Sequence, residues 1–129
     1  MATIRDVMSS TLVTVEPGAT VAQAATVMAE KRVGSALVMD GDSVAGIFTE
    51  RDIVRALSQD FDAPGHPITH WMTRDPITVG PDATVEEALE TMLGGGFRHL
   101  PVMEGDAILG MVSMRDLSRA TQEAGTEPS

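Results

Sequence analysis

The chain has no cysteine and no tyrosine, and its aromatic residues are Phe48, Phe61, Trp71 and Phe97 alone. Without cysteine, disulfides, thiolate zinc sites and cysteine nucleophiles are excluded. So few rings leave little on which nucleic-acid bases could stack. Basic residues are scarce too: nine Lys and Arg stand against 19 Asp and Glu, a formal charge of −10. Phosphate backbones and anionic membrane surfaces both draw affinity from clustered cations, so neither nucleic acid nor membrane is expected as a partner. No run approaches the ~18 consecutive apolar residues of a spanning helix. The opening MATIRDVMSS lacks a basic segment followed by an apolar one, so no secretory signal is read there and the expected location is cytoplasmic.

What is present is globular composition: 129 residues, 43% hydrophobic and 22% charged. With nine methionines and almost no rings, the core must be built from Val, Ile, Leu, Met and Ala, which makes it adaptable. The chain also repeats itself. Shifted by 64 positions, residues 7–56 lie over 71–120 without a gap, and about 18 of the 50 aligned positions are identical. TVEPGATVAQAATVM (14–28) meets TVGPDATVEEALETM (78–92), and VMDGDSVAGIFTERDIVRA (38–56) meets VMEGDAILGMVSMRDLSRA (102–120). One unit is used twice. The boundaries read from this register are repeat 1 at 4–58, a linker at 59–68, repeat 2 at 69–120 and a polar, disordered tail at 121–129.

Each copy predicts the same elements. Thr20 and Thr84 are N-caps, with Gln23 and Glu87 completing capping boxes. Val21, Ala24, Ala25 and Met28 then fall at i, i+3, i+4 and i+7, as do Val85, Ala88, Leu89 and Met92, so each set forms one apolar helix face. A strand (Ala36–Met39; Leu100–Met103), a Gly-Asp turn (41–42; 105–106) and a second strand (Val44–Phe48; Ile108–Val112) make a hairpin. Thr49 and Ser113 cap a last helix, Glu50–Leu57 and Met114–Ala120, and a short extended piece (Leu12–Val15; Pro76–Val79) stands in front. The fold class is α/β (α+β): two pseudo-symmetric β-α-β-β-α repeats. One copy of about 50 residues buries too little surface to be secure, and two packed sheet to sheet would remedy that. Gly94-Gly95-Gly96 replaces Glu30-Lys31-Arg32 and should end its helix early.

These residues carry a resemblance. Gly46-Ile47-Phe48-Thr49-Glu50-Arg51-Asp52 and Gly110-Met111-Val112-Ser113-Met114-Arg115-Asp116, each G-x-x-[ST]-x-x-D at the mouth of a last helix, resemble a tandem cystathionine-β-synthase (CBS) domain pair, the Bateman module. The openings Asp6-Val7-Met8 and His70-Trp71-Met72, and Arg98-His99-Leu100-Pro101-Val102, fit the same family. The resemblance covers about residues 4–120 and suggests a stand-alone protein of bacterial type. It implies two clefts that bind an adenosine-type ligand (AMP, ADP, ATP or S-adenosylmethionine), regulation of a partner protein, and no enzymatic activity. It also implies a homodimer formed through helices, and Ile53, Val54 and Leu57 carry apolar surface beyond one narrow stripe.

The motif residues suit such a ligand. Gly within a strand marks close approach by a ligand or by another backbone. Thr49 and Ser113 sit where helix N–H groups attract an anion such as phosphate. Asp52 and Asp116, one turn in, can accept hydrogen bonds from ribose hydroxyls. The same [ST]-x-x-D pattern is also an ordinary helix cap. By resemblance Arg98 and His99 face the ligand phosphates, Val13 and Val33 flank a base in the second-copy cleft, and Ile77 and Phe97 flank one in the first. Apolar residues at those four places are more often plain core. Repeat 1 has Gly34 and Ser35 where repeat 2 has Arg98 and His99, so the two clefts are expected to be unequal, the second binding tighter.

His66 and His70 are four apart, with Asp60 and Asp62 before them, but Pro67 interrupts the helix that a metal pair would need. The segment reads as a solvated linker, and no metal ligand is assigned. The expected function is a regulatory, ligand-sensing module with an adenine nucleotide as ligand and no required cofactor, acting on a protein that the sequence does not identify. The alternatives are a structural or protein-interaction module with empty clefts, or one that binds S-adenosylmethionine or a metal.

Overall fold

The computed structural model describes residues 2–126, with side chains through Gln122. In chain order the elements are α1 (Ile4–Val7), β1 (Thr14–Val15), α2 (Val21–Lys31), β2 (Ser35–Asp40), β3 (Ser43–Thr49) and α3 (Glu50–Gln59). After two 3₁₀ turns, at 63–65 and 68–70, come β4 (Thr73–Arg74), α4 (Val85–Gly95), β5 (His99–Glu104), β6 (Ala107–Ser113) and α5 (Met114–Thr126). They form two compact units whose limits cut across the sequence repeat. One unit is Val13–Pro76; the other joins the chain up to Leu12 with the chain from Ile77 onward. Each repeat thus gives its opening segment to the unit that holds the other repeat's hairpin.

In the Val13–Pro76 unit, the four strands run in the order β1-β2-β3-β4, with β1 parallel to β2 and the other pairs antiparallel. Phe48, Leu37, Val38 and Ala36 are buried. Phe48, Val38 and Ala36 share one cluster with Val21, Ala24 and Met28 of α2 and Ala56 of α3. These are the α2 positions picked out by helical spacing, apart from Ala25, which is half-buried. In the other unit β5 and β6 pair alone as strands. Single bridges from Val79 to Val102 (parallel) and from Ser9 to Met111 (antiparallel) flank them, in the places that β1 and β4 hold in the first unit. Ile4 of α1, Val85, Ala88 and Met92 of α4, Leu100, Val102, Val112 and Leu117 form its core. Full burial of one such side chain contributes ~1.5–3 kcal/mol. Both hairpins turn on a glycine with positive φ, Gly41 at 63° and Gly105 at 62°. Both slip register by one residue at the same place, after Val38 and after Val102.

Three expectations need correction. The glycine triplet does not end its helix early: α4 runs through Gly95 and equals α2 at 11 residues. Buried Val85, Ala88 and Met92 hold it against the low helix propensity of glycine. The linker is not a solvated strand of chain, because Ala63 and Ile68 are fully buried. Its backbone is tied to repeat 1 by Val21 N–H donating to the His66 carbonyl and Ile68 N–H to the Ala19 carbonyl, both at 2.9 Å. The tail expected to be disordered from Thr121 continues α5 to Thr126, with the Thr121 hydroxyl donating to the Leu117 carbonyl at 2.9 Å. The rest of that tail, 127–129, lies outside the described residues.

Candidate functional site

The motif glycines come first, since they decide what approaches the second strand of each hairpin. A Cβ on Gly46 would stand 2.5 Å from the Thr73 carbonyl oxygen and 3.2 Å from Met72 Sδ. A Cβ on Gly110 would collide with the Ser9 carbonyl oxygen and come within 3.1 Å of Met8 Sδ. Of the two readings open for these glycines, a second backbone is what lies against them. The intruding backbone is in each case the opening segment contributed by the other repeat.

The last helices start from matched caps. In the Val13–Pro76 unit, Asp52 Oδ2 accepts from the Thr49 amide at 2.9 Å and from its hydroxyl at 3.2 Å. The same hydroxyl accepts from the Asp52 amide at 3.3 Å. Asp52 Oδ1 accepts from Arg55 Nη2 at 3.3 Å, and that nitrogen also donates to the Trp71 carbonyl at 2.7 Å. Asp52 is only 5% exposed, and desolvation raises its pKa above the ordinary value, against the lowering by Thr49 and Arg55. In the other unit, Asp116 Oδ2 accepts from the Ser113 amide at 2.8 Å and Ser113 Oγ accepts from the Asp116 amide at 3.1 Å. There the caps stop. Among the described residues nothing binds Asp116 Oδ1, and the Ser113 hydroxyl proton has no acceptor. In both units the first helical amide is also engaged: Glu50 N–H donates to the Gly34 carbonyl at 3.0 Å and Met114 N–H to the Arg98 carbonyl at 2.8 Å.

Strand register then sets what surrounds each cap. His99 is paired across the ladder with Ser113, and Ser35 with Thr49. Arg98 is exposed and His99 half-buried, and the backbone of both lies beside the start of α5, Arg98 through its carbonyl and His99 through the ladder. The equivalent mouth has Gly34 and a buried Ser35. Val13 and Val33 pack on the core of the Val13–Pro76 unit and Phe97 on that of the other, while Ile77 is 50% exposed. The residue that sequence reasoning missed is Arg55. Its spacing from Asp52, i to i+3, is a helix ion-pair pattern that could have signalled it.

The linker gathers Asp60, Asp62 and His66, with ligand atoms within 4.8 Å of one another. His66 Nε2 lies 3.4 Å from Asp62 Oδ1, and its ring meets that of His70 edge-on at 5.7 Å. Both aspartates are exposed.

The repeat, the twice-built hairpin with its crossed opening segment and the paired caps are the framework of one family. Its model, the CBS domain, matches residues 4–59 and again 68–123. The chain belongs to the CBS domain family. Domain pairs of this family are generally regulatory rather than catalytic. An uncharacterized 17.7 kDa protein of Acidianus ambivalens is 42% identical over 126 residues, covering 95% of this chain and 75% of that one. Of four further relatives the chain spans only 15% to 40% of the length. The CBS-domain containing protein ATU1752 of Agrobacterium tumefaciens superposes with a TM-score of 0.89 at 30% identity, over 93% of this chain and 99% of that one. The CBS domain protein PAE2072 of Pyrobaculum aerophilum, in a structure complexed with AMP, superposes with a TM-score of 0.84 at 28% identity, over 98% and 100%. No described helix of the CBS pair is long and apolar enough to cross a membrane.

Proposed function

We propose that this CBS pair is a regulatory module that binds an adenosine-type nucleotide and passes its occupancy to a partner protein. The observation that carries the reading is the uncommitted Ser113 hydroxyl and Asp116 carboxylate oxygen at the mouth of α5, next to Arg98 and opposite His99 in the ladder. A ribose supplies two hydroxyl donors for the carboxylate, and a phosphate takes charge-assisted hydrogen bonds from Arg98. AMP in the structure of PAE2072 supports the ligand class.

The test is a thermal-unfolding panel with AMP, ADP, ATP, S-adenosylmethionine and NADH. A ligand at 100 times its Kd adds about 2.7 kcal/mol, several degrees for a chain of this size. If none of the five raises the melting temperature, the reading fails and a module with empty clefts replaces it. That second reading has its own support in an exposed apolar face on α3, where Val54 and Leu57 are 68% and 51% exposed and Phe61, just beyond the helix, is 96% exposed. In the nucleotide-binding reading the same face joins two copies of the chain into a homodimer.

A further inference from the structure

We propose that Arg55 closes the first of the two nucleotide sites by occupying the carboxylate that would otherwise receive the ribose. The inference rests on the nucleotide-binding reading and adds to it a residue that decides which site is open.

A carboxylate offers about four acceptor positions. Asp52 has three in use: the Thr49 amide and hydroxyl on Oδ2, and Arg55 on Oδ1. Asp116 uses one, for the Ser113 amide. The Thr49 hydroxyl both donates and accepts within its cap, whereas the Ser113 hydroxyl only accepts. Arg55 is held in place at its other contact, since the same nitrogen donates to the Trp71 carbonyl at 2.7 Å. With about one position left on Asp52, a ribose that donates both of its hydroxyls to the carboxylate must displace a guanidinium that is anchored to a backbone atom. Arg119 stands at the position equivalent to Arg55. It is exposed and makes no ion pair with Asp116, although both residues are described. The aligned sequences are the same at this point, so the difference between the two sites lies in the contact itself. Half of the Arg55 side chain is exposed while Asp52 is nearly covered, so removing the arginine opens the carboxylate from the solvent side.

The experiment is calorimetric titration of AMP into the full chain and four variants: Arg55→Ala, Asp116→Ala, Asp116→Ala with Arg55→Ala, and that double variant with Asp52→Asn added. The wild type is expected to show one tight event, lost in Asp116→Ala. The double variant should then bind AMP about tenfold or more tighter than Asp116→Ala alone, the size of one freed charged hydrogen bond. Adding Asp52→Asn should remove that gain, which a merely structural effect of Arg55 would not require. If the double variant binds no better than Asp116→Ala, Arg55 does not close the site and only this inference is overturned. If Asp116→Ala keeps a tight event of its own with Arg55 in place, the first site is already open and the inference is again overturned. If the wild type does not bind AMP at all, the nucleotide reading itself fails and takes the inference with it. Should Arg55→Ala unfold, Arg55→Lys asks the same question: one ammonium holds the carboxylate and the carbonyl together less well, and a smaller gain in the Asp116→Ala background is expected, its absence counting against the proposal.

Discussion

Arg32 and Gly96 close equivalent helices with the same left-handed backbone, at φ 57° and 73°. For an L-residue this conformation costs roughly 1–2 kcal/mol, a penalty that glycine escapes. The two helix ends therefore call for opposite substitutions. Arg32→Gly should stabilise the chain by about 0.5–1 kcal/mol, part of the relief being offset by the greater freedom of an unfolded glycine. Gly96→Ala should destabilise it by about 1 kcal/mol or more. Urea unfolding of both variants checks this, and shifts of the same sign would contradict it.

Steric room at the motif glycines yields a second expectation. Gly46→Ala and Gly110→Ala each push a methyl group into a neighbouring carbonyl that belongs to a paired strand segment. Overpacking of this kind costs ~1–3 kcal/mol. Gly18→Ala is the control, because nothing lies within 4 Å of its added Cβ. It should be neutral or slightly stabilising. Equal melting temperatures for the three variants would show that the close approach is not a constraint.

Both local elements and the repeat were legible in the sequence because each rests on short-range pattern. Helical spacing marked Val21, Ala24 and Met28, the Gly-Asp turns marked both hairpins, and [ST]-x-x-D marked two caps. Periodicity carries no information on which unit a segment joins, so the passage of Ile4 into the core around Leu117 was not visible. Glycine propensity argued against α4 continuing through Gly94 and Gly95, yet tertiary burial outweighed it. At the site, the spacing indicated Asp52 and Asp116 as equivalents. What separates them is Arg55 reaching the carbonyl of Trp71, a backbone acceptor 16 residues away that no residue type announces.

The carboxylates of Asp52 and Asp6 should respond to pH with opposite signs. Burial raises the folded pKa of Asp52 above the ordinary 3.8, so the folded chain binds that proton more tightly than the unfolded chain. Its contribution to stability is present below 3.8 and is lost as pH rises through the higher folded value. Asp6 is lowered, first by the Thr3 amide and then by its hydroxyl. Its contribution is present above 3.8 and is lost as pH falls through the lower folded value. Stability measured against pH for Asp52→Asn and Asp6→Asn should thus differ from the wild type in opposite directions across the acid range. Parallel curves would overturn the assignment.

The exposed face on α3 makes the assembly testable without any ligand. Val54, Leu57 and Phe61 have Ser118, Thr121 and Gly125 at the positions 64 residues on, so the apolar face of α3 is not repeated in the sequence of α5. Light scattering at micromolar concentration should report twice the chain mass of 13.6 kDa. Leu57→Asp with Phe61→Asp should return it to the single-chain value, because burying two unpaired carboxylates opposes association. A wild-type particle of 13.6 kDa would leave the face without a second copy to cover it.

The two sites should also differ in which part of the ligand they read. Arg98 has no described side-chain partner and carries one of only nine basic side chains in a chain of net charge −10. An anion needs such a local positive group to overcome the repulsion of the rest of the surface. Arg98→Ala should therefore weaken AMP by about 1.5–3 kcal/mol, the value of a hydrogen bond to a charged group, while adenosine, which lacks the phosphate, changes little. Asp116→Ala should weaken both ligands, since they share the ribose. Thr49→Ala should leave the tight event nearly untouched, because its hydroxyl is consumed inside its own cap. Calorimetry of AMP and adenosine with these three variants separates the contributions. If Thr49→Ala abolishes the tight event while Asp116→Ala spares it, the open site lies at the other helix mouth, and the free hydroxyl and carboxylate at Ser113 and Asp116 are not what selects the nucleotide.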